Sequence, residues 1–320
     1  MSHLLTGDIG GTKTLLRIDT AAGVLSRSYP SAGFAGLAEI VEEFLREAEI
    51  GDITAACFAL AGPVSGRKVK LTNLPWEVDA DVLAERFAIS RLVLVNDFEA
   101  VGHGIAALRP DDLQVLQVGA PQPHGTRLVA GAGTGMGVAW MTWAGAAYVV
   151  HPSEGGHIDF APAGELQQGL LGYLQQRHGH VSYERIVSGP GLQSIYDFLR
   201  DSRRATPTPR LIEAMAADDA AAVISRFAQF EDEPIARMTL DLFVVVYGAF
   251  IGNLALMALP RGGIYVAGGI AAKIPQVMQR GDFLRAFLDK GRYACLLETL
   301  PLYIVSNPEV GLLGARMLIQ

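Results

Sequence analysis

Two glycine-rich stretches decide how this chain folds: Gly7-Asp8-Ile9-Gly10-Gly11-Thr12 and Gly131-Ala132-Gly133-Thr134-Gly135-Met136-Gly137. Each follows a short apolar run and leads into another, Leu15-Leu16-Arg17-Ile18-Asp19 in the first case and Val138-Ala139-Trp140-Met141 in the second. Strand, glycine turn, strand is a hairpin signature, and its recurrence in the second half is a coarse internal duplication. The familiar nucleotide motifs do not explain it. A dinucleotide fingerprint wants a third glycine where Met136 stands, and the Gly-Lys of a P-loop occurs nowhere. Successive glycines do let backbone N–H groups converge on an anion, because no Cβ blocks its approach. The two turns, with the Thr12 and Thr134 hydroxyls, could therefore clamp phosphates. Plain hairpin turns, which also favour glycine, are the competing reading. Asp8 puts a carboxylate in the first turn, which suits phosphate only with a Mg²⁺ ion to neutralise it.

Outward from the first turn, 4–6, 15–19 and 24–29 are β-prone runs, a meander. Leu37, Ile40, Val41, Phe44 and Leu45 recur at helical spacing and predict a helix over 35–49. A near-continuous apolar run at 53–61 predicts a buried strand, 69–72 another strand, 79–88 a helix, and 92–95 a central strand ending in Asn96-Asp97. After Pro110 strands are expected at 128–130, 138–141 and 147–150, helices at 164–178, 192–202, 210–229 and 235–259, strands at 264–267 and 302–305, and a helix at 311–319.

The chain has 320 residues, about twice the ~150-residue prior for one domain, so two lobes are expected. With 50% hydrophobic and 18% charged residues it can bury a large core, which excludes disorder. Its net charge of −7 argues against nucleic acid, whose phosphates need a basic face. Cys57 and Cys295 form neither a CxxC pair nor a zinc cluster and fit a reducing compartment. No basic region or long apolar run precedes Gly7, so no signal peptide is expected. The stretch 242–259, LFVVVYGAFIGNLALMAL, is 18 residues long and carries Asn253 inside it. A spanning helix wants ~20 apolar residues, and a helix buried on all sides is the expected alternative. The expectation is a cytoplasmic protein with no membrane partner.

Three polar segments remain. Asn96-Asp97 ends an aliphatic strand, and strand ends in α/β sheets point to ligand crevices; a helix N-cap would favour the same residues. Glu154-Gly155-Gly156-His157 sets a carboxylate and an imidazole beside two glycines. The Glu-x-x-His of di-iron bundles needs a helix and a second copy, and His-Glu-x-x-His is absent, so metal ligation is not expected. Glu184, in Val181-Ser182-Tyr183-Glu184-Arg185, reads alone as a surface charge, and no Gly-x-Ser-x-Gly elbow offers a serine nucleophile.

Together these segments resemble the bacterial ATP-dependent glucokinase family, within the actin, heat-shock chaperone and sugar-kinase superfamily. The resemblance runs through GDIGGTKTLLRID at 7–19, LTNLPW at 71–76, LVNDFEAVGHGI at 94–105, GAGTGMGVAW at 131–140, SEGGHIDFAP at 153–162, YERIVSGPGL at 183–192 and YVAGGIAAKI at 265–274. It implies an α/β, two-lobed, actin-like ATPase fold, a duplicated ribonuclease H-like unit closing over an interlobe cleft. The small lobe would be 1–109 plus 306–320 and the large lobe 110–305. The resemblance implies MgATP-dependent phosphorylation of D-glucose at the 6-hydroxyl, feeding glycolysis, by a homodimer. It implies Asn96, Asp97, Glu154, His157 and Glu184 as glucose ligands, with Asn73 as a further neighbour and Asp97 as the catalytic base. Gly7, Asp8, Ile9, Gly10, Gly11 and Thr12 with Gly133, Thr134 and Gly135 would hold the phosphates, and Gly268 and Gly269 the adenosine. Asp8 would hold Mg²⁺ directly or through water.

The repressor-and-kinase branch of this superfamily carries a cysteine-rich zinc motif after its Glu-x-x-His segment. Here that region has no cysteine, so His157 reads as a sugar ligand. Two other classes compete: a sugar-responsive regulator, which needs a helix-turn-helix module usually ahead of the first strand, and a non-catalytic ATP switch, which would lack the hexose ligands. Another hexose, mannose or an N-acetylhexosamine, is the closer alternative.

Overall fold

The computed structural model describes residues 3–20, 23–71 and 74–320, and in it the first glycine stretch is the bend of a hairpin. β1 (Leu4–Ile9) pairs antiparallel with β2 (Lys13–Thr20), and β3 (Gly23–Pro30) continues the meander. Leu5, Ile9, Leu16 and Ile18 are fully buried on one face of the sheet, as strand alternation requires. α1 (Leu37–Ala48) turns Leu37, Ile40, Val41 and Phe44 onto the same core. β4 (Ala55–Leu60) is buried at every position because it runs through the sheet centre, parallel to β1. A side hairpin of β5 (Lys68–Lys70) and β6 (Glu77–Asp79) follows, then α2 (Ala80–Arg86), capped by the Asp79 carboxylate. β7 (Arg91–Asn96) joins β4 in parallel and runs straight into α3 (Asp97–Gly104). The sheet order is β3-β2-β1-β4-β7.

The next strands are β8 (Leu113–Gln117), β9 (Arg127–Ala132), β10 (Met136–Trp143) and β11 (Tyr148–Ser153). Helices follow: α4 (Gly164–His178), α5 (Gly189–Asp201), α6 (Pro209–Ala217), α7 (Ala220–Phe230) and α8 (Pro234–Ala258). β12 (Gly263–Ala267) leads to four short helices, α9 (Gly269–Lys273), α10 (Pro275–Gln279), α11 (Asp282–Leu288) and α12 (Ala294–Leu297), and then to β13 (Leu302–Val305). The second sheet has the order β11-β10-β9-β12-β13-β8. It repeats the first: β9 and β10 form the hairpin, and β12 lies parallel to β9 as β4 does to β1. β8 is an added strand, antiparallel to β13.

The chain divides into two compact units, one of 1–110, 146–152 and 307–320, the other of 111–145 and 153–306. α13 (Val310–Met317) belongs to the first and packs on α3 at backbone distance. A Cβ on Gly314 would lie 1.7 Å from the Ala100 carbonyl oxygen, and one on Gly104 2.0 Å from that of Val310, so only glycine fits at either place.

The helix expected over 210–229 is two helices, a correction with a local cause. Asp218-Asp219 interrupts it, because Asp219 turns its carboxylate onto the Ala222 N–H at 2.7 Å and starts α7 afresh. Residues 242–258 lie in α8, which has the length and apolarity to cross a membrane, yet 67% of its apolar 18-residue window is buried within the protein. Gly248 and Gly252 admit α11: Cβ atoms there would stand 2.1 and 2.5 Å from the Phe283 and Phe287 carbonyl oxygens. The pair Gly248 and Gly252 is a helix-packing device of this core.

Candidate functional site

In the first unit the parallel register carries Ile9, Leu60 and Asn96 across adjacent strands at one edge of the sheet. At ~4.8 Å per strand, the first glycine turn and Asn96 stand about 10 Å apart. The turn is closed by Gly10 N–H donating to the Lys13 carbonyl at 3.0 Å. Buried Ser31 pins it: its hydroxyl donates to the Gly10 carbonyl at 2.9 Å, and its N–H to that of Thr12 at 3.1 Å. No local pattern marks Ser31, which acts from about twenty residues away. Gly10 and Gly11 are half-buried and Thr12 is exposed. Gly7 and Ile9 are placed differently: both are buried in β1, and a Cβ on Gly7 would press on Phe58 and Leu16 at 2.7 and 2.8 Å. Their part in the turn is to bring its backbone to the sheet edge.

Asp8, half-buried, faces the first turn of α13, its Oδ2 4.0 Å from a Cβ built on Gly311. Burial raises its carboxyl above the ordinary aspartate value, against a smaller downward pull from Lys13. A carboxylate desolvated in this way, with so little compensating charge, suits a cation. Among the described residues no three His, Cys, Asp or Glu side chains converge as a metal cage.

Asn96 is the helix N-cap that its segment allows. Its Oδ1 caps α3, accepting from the Phe98 and Glu99 N–H groups at 2.9 and 3.1 Å, while Nδ2 donates to the Gly62 carbonyl at 3.0 Å. Asp97 opens the helix, with Oδ1 2.9 Å from the Phe98 nitrogen, where the helix dipole favours a carboxylate. Glu99, two residues on, is pushed above its ordinary value by burial. It sits near Cys57, whose thiol burial, chiefly, pushes up to about 12, leaving it inert at neutral pH. Asn73 lies outside the described residues.

In the second unit the predicted ligands come together around one residue, Met136, the first of β10. Its N–H donates to Glu184 Oε2 at 2.9 Å, so Glu184 is not a stray surface charge. Gly135 makes room for it, since a Cβ there would fall 2.6 Å from the same oxygen. The Met136 carbonyl faces Gly156, where a Cβ would lie at 2.0 Å; the two glycines between Glu154 and His157 let that loop lie flat on β10. His157 Nε2 then stands 3.9 Å from both Glu154 Oε2 and Glu184 Oε1. These gaps exceed a hydrogen bond, and Glu154, His157 and Glu184 Oε1 can bond a ligand with many hydroxyls.

The Gly133-Thr134-Gly135 turn is closed by the Gly133 N–H on the Gly135 carbonyl, and the Gly133 carbonyl accepts from the Gly189 N–H, both at 2.8 Å. Ser188 caps α5 and donates to the Glu184 carbonyl at 2.7 Å, fixing the loop that carries the carboxylate. Gly268, at φ +87°, brings the end of β12 against β9, where a Cβ would stand 2.5 Å from the Ala132 carbonyl oxygen. Gly269, the first residue of α9, has open space in place of a side chain.

A family model described as Glucokinase matches residues 5–320. A glucokinase of Nostoc punctiforme is 44% identical over 99% of this chain and 98% of its own length. Among solved structures, a glucokinase from an Antarctic psychrotroph is similar with a TM-score of 0.80 and 29% identity, over 99% of this chain and 98% of its own. A ROK family glucokinase from Streptomyces griseus, in complex with glucose and AMPPNP, shares the fold at a TM-score of 0.68 and 19% identity, over 99% of both chains. With its duplicated sheets and glycine hairpins matched along almost the whole sequence, this chain belongs to the glucokinase family, whose members are ATP-dependent hexose kinases.

Proposed function

We propose that the chain transfers the γ-phosphoryl group of MgATP to the 6-hydroxyl of D-glucose, with Asp97 as the base. The observation that carries this reading is the Glu184 carboxylate, which presents one oxygen toward His157 while the other is held by the N–H at the end of the second glycine turn. A polyol site and a phosphate-type turn are thereby built as one piece. Glu154, His157, Glu184 and Asn96 supply hydrogen-bonding groups for the sugar hydroxyls, with Asn73 as a neighbour. A site so furnished discriminates against sugars lacking a given hydroxyl, because its polar groups are then left unpaired.

Asp97 orients the attacking hydroxyl and accepts its proton, help worth ~10²–10⁴-fold in rate. The backbone N–H groups of both glycine turns hold the phosphates in line, and positioning with charge stabilisation supplies the remaining acceleration. Gly268 and Gly269 hold the adenosine, Gly269 with open space in place of a side chain. Asp8 holds Mg²⁺, directly or through water, and the ion neutralises phosphate charge when bound. We further assign 1–109 with 306–320 to a small lobe and 110–305 to a large one, and place the enzyme in the cytoplasm as a glycolytic homodimer. Its unpaired thiols support that compartment.

A coupled assay of ADP release with MgATP over a panel of hexoses tests the reading. Glucose should turn over fastest; a preference for mannose or an N-acetylhexosamine would replace the substrate, and no release with any hexose would overturn the reaction. In the same assay Asp97→Asn should keep the glucose KM within about threefold while kcat falls by ~10²–10⁴. A kcat within threefold of the parent would remove Asp97 from its role.

A further inference from the structure

Asn253 interrupts the apolar stretch of α8, and a carboxamide among core side chains is costly unless it is paired. It is paired. Asn253 Nδ2 donates to the Tyr183 phenol oxygen at 2.8 Å. The Tyr183 ring is buried, stacked on Phe250 at 4.2 Å between centroids and met edge-on by Phe160 at 5.6 Å. Packing alone would be served as well by phenylalanine and leucine, with no polar groups to bury.

What the hydrogen bond adds is direction. Tyr183 immediately precedes Glu184, and its N–H donates to the Ile158 carbonyl at 3.1 Å, one residue beyond His157. Its own carbonyl accepts from Ile186 and Val187 at 3.0 and 2.7 Å, folding the turn that aims the Glu184 side chain at β10. One residue, its phenol fixed by one carboxamide, thus ties together through its backbone both loops that carry sugar ligands. We infer that Asn253 and Tyr183 are positioning residues for hexose binding: α8 holds the Glu184 carboxylate and the His157 loop in register through the Asn253–Tyr183 hydrogen bond. This rests on the reading of Glu184 and His157 as hexose ligands.

The test is steady-state kinetics on the full chain, varying glucose and ATP separately, for Asn253→Leu, Tyr183→Phe and the double variant, with Tm recorded for each. Each single change should raise the glucose KM about tenfold, leave the ATP KM within twofold and kcat within threefold, and the double variant should be no worse than either single. A general loss of packing would instead lower Tm and move all three constants together. If Asn253→Leu fails to fold, Tyr183→Phe decides, since it keeps the ring and removes only the hydroxyl. Glu184→Gln, run beside them, separates the two levels. A raised glucose KM there, with none in folded Tyr183→Phe, overturns the inference alone. An unchanged glucose KM in Glu184→Gln overturns the assignment of the carboxylate, and the inference with it.

Discussion

Gly135 and Asp8 show how much function rests on single positions. At Gly135 the atom an added Cβ would strike is the far end of the Glu184 side chain, which can swing aside without disturbing the backbone. Gly135→Ala should therefore fold normally, with Tm within about 2 °C of the parent, yet raise the glucose KM several-fold; an unchanged KM would mean the carboxylate need not sit where Met136 holds it. At Asp8 the effect has the opposite sign for stability. Burial raises this carboxyl in the folded chain, so at neutral pH folding bears the cost of a charge that the unfolded chain solvates freely. Asp8→Asn should raise Tm by about 1–3 °C at pH 7 without ligands while abolishing most activity. As pH falls through the raised folded value, the parent's Asp8 takes up its proton and the gap between the two proteins should close; a gap constant down to pH 4 would contradict this origin. Neither glycine nor aspartate was hard to notice in the sequence, whereas Ser31 and the pairing of Tyr183 with Asn253 were invisible there. The turn residues that Ser31 pins and the partner of Tyr183 are 19 to 70 residues distant, and such contacts leave no local period.

Elements were readable where one physical signal dominated. The bounds of α4 and β13 follow directly from the pattern of apolar residues and breakers, and the six-residue buried β4 announced itself as an unbroken apolar run. Reading failed where signals were short or in conflict. β8 spans five residues, Leu-Gln-Val-Leu-Gln, with none of them buried, and α9 to α12 are each seven residues or fewer, too short to display a helical face. Between α6 and α7 the helical period continues through Asp218-Asp219, and the break comes from capping, which outcompetes propagation. Asp219→Ala removes that cap and should cost about 1 kcal/mol, seen as a lower Tm with both KM values unchanged. A change in either KM would tie this helix pair to the site.

Across the whole molecule the order of residues and the order of assembly differ. The first unit is built from three separate parts of the chain, and its last part is fastened by charge as well as by packing. Arg17, on β2, reaches Glu309 at 2.7 Å and Asp19 at 3.1 Å, and Arg316 reaches the other Asp19 oxygen at 2.9 Å. A variant lacking 307–320 should thus lose protection in the first unit, with rapid amide exchange in β1, β4 and α3. The second unit should keep its slow exchange, and uniform protection in both would refute the dependence. The same discontinuity bears on how the protein is made. α13 leaves the ribosome roughly 200 residues after position 110, a delay of roughly 10–40 s at ordinary translation speeds. Throughout that interval the nascent sheet lacks its covering helix, so the part synthesised first is finished last and is the portion most in need of chaperone shelter.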